Sequence, residues 1–174
     1  MLLKFNGDKI INMTKMFYNC HGLSNLTMSG TFRNLVTMES AFEGCKSLSY
    51  SNLSQFPSNN LRNLKRAFYG CENLKSIGFS NKLNSIGYGA FAKCSGLVLV
   101  DLPDSLIRVG HSTFRDCTSL SAVKLSSNLE SISFKMFADC QSLTGVVIPS
   151  SVEAIGSWAF ANCSSMKGKV VIPD

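Results

Sequence analysis

A chain of 174 residues has the length of one ordinary domain, and 45% hydrophobic against 16% charged residues excludes a disordered polymer. Its longest apolar runs are four residues, as in LVLV at 97–100, far short of the roughly 20 that a membrane-spanning helix needs. The formal charge of +6, from 17 Lys and Arg against 11 Asp and Glu, raises a nucleic-acid reading that is weighed below by position.

The opening, MLLKFNGDKIINM, carries Lys4, Asn6, Gly7 and Asp8 where a secretory leader would hold an apolar stretch of about 7–15 residues. No signal peptide is expected in it. Met1 and Leu3 instead lie before Phe17 as Leu26 and Met28 lie before Phe42, so the chain is expected to open inside a strand. A period then runs to the end. Phe17, Phe42, Phe68, Phe91, Phe114, Phe137 and Phe160 are spaced by 25, 26, 23, 23, 23 and 23 residues. Three residues after each stands a cysteine: Cys20, Cys45, Cys71, Cys94, Cys117, Cys140 and Cys163. Three further on come Leu23, Leu48, Leu74, Leu97, Leu120 and Leu143, with Met166 closing the series. Each unit continues into a short alternating run, such as LVLVDLP at 97–103, LSAVKLS at 120–126 and LTGVVIP at 143–149. Apolar residues at every second position predict a strand there.

Repeats of this length stack, because one unit cannot bury its apolar stripe alone. From each phenylalanine to the following strand end the count is 11 residues in six repeats and 12 in the last. The remaining segment takes 14, 15 and then 12 residues four times. Parallel strands must stay in register at about 4.8 Å, whereas the return path need only close the coil. The strands therefore form the regular face. The phenylalanines are expected in the interior at helical or tight turns, where burial of such a ring is worth roughly 1.5–3 kcal/mol. Cysteine, small and a weak donor, suits a turn packed beneath the next copy of itself.

The run L-x-x-L-x-L, present as Leu97, Val100, Leu102 and as Leu143, Val146, Ile148, resembles the leucine-rich repeat. More narrowly, IGSWAFANCSSM and SVEAIG are similar to the 23-residue repeats of BspA-like surface proteins. The first part, NMTKMFYNCHGLSNL, resembles a related 25-residue repeat of bacterial surface lipoproteins. One leucine-rich-repeat domain over 1–174 is expected, with 25–26-residue repeats in 1–79 and 23-residue repeats in 80–174. The fold expected is a right-handed repeat solenoid with one parallel sheet, short helical turns and a second minor strand per coil, such as LIRV at 106–109.

Seven cysteines is an odd number, and in-register side chains run parallel rather than toward one another, which favours buried free thiols over a disulfide framework. A zinc site would need cysteines two to four apart, and none here are closer than 23 residues. His21 and His111 occupy different repeat positions, and no serine or cysteine is placed beside a base and an orienting carboxylate. Phosphate-binding glycine loops are absent, and GYGAF at 87–91 is a repeat turn. Neither an enzyme nor a cofactor or metal site is expected. Four N-x-[ST] sequons, at Asn12, Asn25, Asn52 and Asn162, bear on function only in a eukaryotic secretory pathway.

The outward positions of the strands form the expected protein-binding face: Asn25, Thr27, Tyr50, Asn52, Ser76, Leu99, Asp101, Lys124, Val147 and Lys169. With Lys124 and Lys169 its only cations, this face is no phosphate-tracking groove. Arg33, Arg62, Lys65, Arg66 and Arg108 fall on the return segments, where charge serves solubility. The resemblance implies a protein-binding module, exposed at the cell surface or secreted, engaging an extracellular matrix or plasma protein. The seven thiols and missing leader keep a cytoplasmic interaction scaffold as the alternative, and uncapped terminal strands suggest end-to-end self-association or a slice of a longer array.

Overall fold

The computed structural model describes residues 7–24, 32–52, 60–167 and 170–171, with only the backbone described for 50–52 and 170–171. The chain winds into seven coils, each centred on one of the seven phenylalanines. Two strand positions recur per coil. The strands are β1 (Tyr50–Asn52), β2 (Ser76–Gly78), β3 (Ser85–Ile86), β4 (Leu99–Asp101), β5 (Arg108–Val109), β6 (Ala122–Lys124), β7 (Ser131–Ile132), β8 (Val146–Val147), β9 (Ala154–Ile155) and β10 (Val170–Val171).

Every pairing is parallel. In one column β1 pairs with β2, β4 with β6 and β8 with β10, while β2 adjoins β4 and β6 adjoins β8. In the second column β3 pairs with β5 and β7 with β9, and isolated bridges Asn12↔Thr37↔Asn63 extend it into the first three coils. The expected single sheet is thus a column of short pairs, and the minor strand expected in LIRV is β5 at Arg108–Val109.

The turns are not helical, contrary to expectation. Among the described residues the sole helical segment is a 3-10 turn at Gly7–Lys9. Each phenylalanine is flanked, two residues before and two after, by residues in the left-handed conformation. These pairs are Lys15 and Asn19, Ser40 and Gly44, Arg66 and Gly70, Gly89 and Lys93, Ser112 and Asp116, Lys135 and Asp139, and Trp158 and Asn162, with φ from +52° to +75°. Alternating handedness stops helix propagation and aims every second N–H at the following coil. Arg66, Phe68 and Gly70 donate to the carbonyls of Tyr88, Ala90 and Ala92 at 2.8–2.9 Å. The intervening amides of Ala67, Tyr69 and Cys71 close turns onto the carbonyls of Leu64, Arg66 and Phe68. All backbone donors of the bend are thereby paired.

The phenylalanines stack as a ladder through the interior, with ring centroids 5.1–5.6 Å apart and planes within 14°. Phe68, Phe91, Phe114 and Phe137 are fully buried. Beside them each cysteine from Cys45 onward donates its thiol to the carbonyl of the phenylalanine one coil earlier. Cys45 Sγ lies 3.1 Å from Phe17 O, and Cys71, Cys94, Cys117, Cys140 and Cys163 repeat the contact at 3.1–3.2 Å. All seven thiols are free, as the sequence predicts.

The two repeat types bury different positions. In the first three coils, Asn12, Thr37 and Asn63 accept, through side-chain oxygen, the N–H two residues on, and the next residues Met13, Met38 and Leu64 are buried. In the next three coils, Ile86, Val109 and Ile132 turn inward instead. They are followed by Gly87, Gly110 and Ser133, where adjacent backbones nearly touch: a Cβ on Gly110 would sit 2.7 Å from the Gly87 carbonyl carbon.

Candidate protein-binding face

Alternation in the first strand column divides side chains between core and solvent. Ile77, Val100 and Val146 point inward and are buried. Ser76, Leu99, Asp101, Lys124 and Val147 point outward and are exposed, Leu99 at 60% and Val147 at 65%. Register places Leu99 opposite Ala122 and Asp101 opposite Lys124, so the carboxylate and ammonium meet at 3.3 Å. The backbones of Tyr50 and Asn52 stand in register with Ser76 and Gly78. Asn25, Thr27 and Lys169, expected on this face, lie outside the described residues.

Shallow grooves flank the strands. One of about 460 Å³ runs past Gly78, Phe79, Asp101, Pro103, Asp104 and Lys124; another of about 370 Å³ is lined by Val123, Lys124, Leu125, Ser127, Val147 and Pro149. At their border the Ser127 amide donates to Asp104 Oδ1 at 2.9 Å, and hydrogen bonds from Ser127 hold the Asp104 carboxyl below its ordinary range. The face offers apolar contact, one ion pair and hydrogen-bonding rims on rigid strands. Among the described residues no cluster of His, Cys, Asp or Glu could hold a metal ion.

A second exposed surface went unread in the sequence. Tyr88, His111 and Phe134, each three residues before a ladder phenylalanine, are exposed, as is Trp158 at 65%. Lys135 sits 5.1 Å from the Phe134 ring and 5.3 Å from that of Trp158. Reading the positions before each phenylalanine as well as those after it would have found them.

Parallel coils, an aromatic ladder and a ruled strand face define a leucine-rich-repeat solenoid, an architecture that serves protein interaction. The BspA type leucine rich repeat region matches residues 54–167 in six copies, and the chain belongs to this family. Residues 1–86 match a second family, described as Mycoplasma protein of unknown function, DUF285. A leucine-rich repeat protein from Bacteroides ovatus ATCC 8483 is similar at 26% identity and a TM-score of 0.76, covering 86% of this chain and 38% of that one. The T. pallidum leucine rich repeat protein is similar at 27% identity and a TM-score of 0.55, covering 75% of this chain and 71% of that one. The chain thus spans about two fifths of the length of the Bacteroides protein. Comparison with curated proteins gives no match. No helix of the described residues is long and apolar enough to cross a membrane.

Proposed function

We propose that this chain is a cell-surface interaction module that engages an extracellular matrix or plasma protein through the outward face of β2, β4, β6 and β8. The observation that carries this reading is the exposed cluster Leu99, Asp101, Lys124 and Val147, held on strands whose inward neighbours are buried. Rigid presentation lowers the ordering cost of binding. The cluster is poor in the Trp, Tyr and Arg side chains that dominate strong interfaces, so a single module binds weakly. Repetition along an array raises avidity by roughly 10²–10⁴ through effective concentration. Surface exposure is supported by the resemblance of both repeat types to surface proteins.

The test is binding of the chain to immobilised matrix and plasma proteins, with and without the triple variant Leu99→Ser, Asp101→Ala, Lys124→Ala. The expected result is loss of binding with unchanged thermal unfolding. Undiminished binding by the triple variant, together with loss on replacing Arg62, Lys65 and Arg66, would move the functional surface to the return segments.

A further inference from the structure

The turn side of the solenoid carries a notch of its own. At two equivalent turn positions, coil 3 carries Arg66 and Tyr69 and coil 5 carries Ser112 and Arg115, whereas coil 4 has only Gly89 and Ala92. The missing side chains leave a half-open cleft of about 580 Å³ over Gly89 and Ala92, within the range of small-ligand sites. One wall is Tyr69, fixed in place by the Arg66 guanidinium stacked 3.8 Å from its ring centre. Tyr88, 48% exposed, lines the same cleft.

The charges around the cleft are mostly spent. Arg66 is held by Glu43 through two hydrogen bonds, Glu72 by Lys46 at 2.9 Å, and Arg115 by Asp116 and Asp139 at 3.5 and 3.4 Å. Lys93 differs. Its ammonium lies 5.7 Å from the Tyr69 ring centre and forms no ion pair with a carboxylate among the described residues. Lys93 is thus the cation of the cleft without an ion-pair partner among the described residues, beside tyrosine rings in a lining that is neutral as a whole, with Glu72, Ser95 and Asp116 as hydrogen-bonding groups on its rim.

We infer that this notch binds a carboxylated sugar unit, its carboxylate on Lys93, its ring against the tyrosines and its hydroxyls on the polar rim. A partner's apolar side chain would leave the Lys93 ammonium covered without a counter-charge, which is costly. A bare carboxylate would leave the aromatic wall unused. A polyhydroxylated ring bearing one negative charge satisfies both halves of the lining. The site lies away from the strand face and stands independently of the protein-binding reading.

The test uses N-acetylneuraminic acid and galacturonic acid as probes, with galactose, acetate and a glutamate-rich peptide as comparisons. Binding is read from the amide shifts of Tyr88, Gly89 and Lys93 and from magnetisation transfer to the sugar protons. One or both acidic sugars should bind in the millimolar range, with galactose and acetate at least about tenfold weaker. Lys93→Gln and Tyr88→Ala should each weaken the acidic sugar about tenfold, while Lys82→Gln and the strand-face triple variant leave it unchanged. No binding of either acidic sugar, equal binding of acetate, tighter binding of the peptide, or binding that survives Lys93→Gln would each overturn the assignment. None of these results would alter the outcome of the strand-face experiment, so the two readings fail separately.

Discussion

A thiol, not a hydroxyl, occupies the donor position of each inner turn, and the reason is the carbonyl it meets. Phe68 O already accepts the Cys71 N–H within its own turn and takes the Cys94 thiol as a second donor. A weak, polarizable donor completes that acceptor without a large desolvation cost. Burial pushes the thiols up: Cys45 to about 11, and Cys71, Cys94, Cys117 and Cys140 further still. Reaction requires the thiolate, so in native protein the exposed Cys20 should label rapidly and these four only on unfolding. Counting labelled sites by mass spectrometry checks this, and fast labelling of Cys94 or Cys117 would refute it. Because the folded pKa is raised, the contribution of each buried thiol is fully present below the ordinary value of about 8.5 and is lost as pH rises above it. The alkaline limb of a stability profile should flatten in Cys117→Ala. The Glu43–Arg66 pair works in the opposite sense. Burial would raise the Glu43 carboxyl, but hydrogen bonds from Arg66 and Ser40 outweigh it and hold the group low. Its contribution is present above the unfolded value of about 4.3 and declines as pH falls. Arg66→Ala, which strands a buried carboxylate, should cost about 1–3 kcal/mol by denaturant midpoint at pH 7 and much less near pH 3.

At the scale of the element, the coil is held by its aromatic rung. Phe114 lies between Phe91 and Phe137 at 5.5 and 5.6 Å and is fully buried. Phe114→Ala should therefore cost about 3–5 kcal/mol, measured by chemical unfolding, and a loss under about 1 kcal/mol would be a surface-sized effect. The spacing of phenylalanine, cysteine and leucine made the coil legible, because each type fills a site repeated by stacking. The conformation of the turn was only half legible. Asn19, Gly44, Gly70, Asp116, Asp139 and Asn162 are residue types that tolerate positive φ, and they signal a turn. Lys15, Arg66, Lys135 and Trp158 carry no such signal; hydrogen bonding to the next coil imposes the conformation of the first three. The strand face followed from alternation. The notch did not, since it arises from what Gly89 and Ala92 lack relative to the coils on either side.

For the whole molecule, each coil touches only its neighbours, so stability is close to a sum of local and nearest-neighbour contributions. Hydrogen exchange should show the amides of Phe91 and Phe114 most protected and those of Phe17 and Asn162 least. Uniform protection across all seven turns would instead mean that the solenoid opens as one unit. The stacked turns also have an electrical consequence. At the bends of the first six coils, alternate peptide groups point their N–H toward the following coil and their carbonyl toward the preceding one, as in Phe42 to Ala67, Phe68 to Ala90 and Phe91 to Thr113. Amides flanking the strands run the other way, as Gly110 N to Ile86 O and Ser121 N to Val98 O do. Along the turn edge the peptide dipoles therefore add as they do in a helix, negative toward the first coils and positive toward the last. Lys15, Lys65 and Arg66 stand on the turns of the early coils beside Glu39 and Glu43, and Asp116 and Asp139 on those of the later ones beside Arg115 and Lys135. Residues 1–87 hold ten Lys and Arg against four Asp and Glu, whereas 88–174 hold seven of each. The excess of cations thus lies in the half of the chain toward which the carbonyls of this column of peptide groups point.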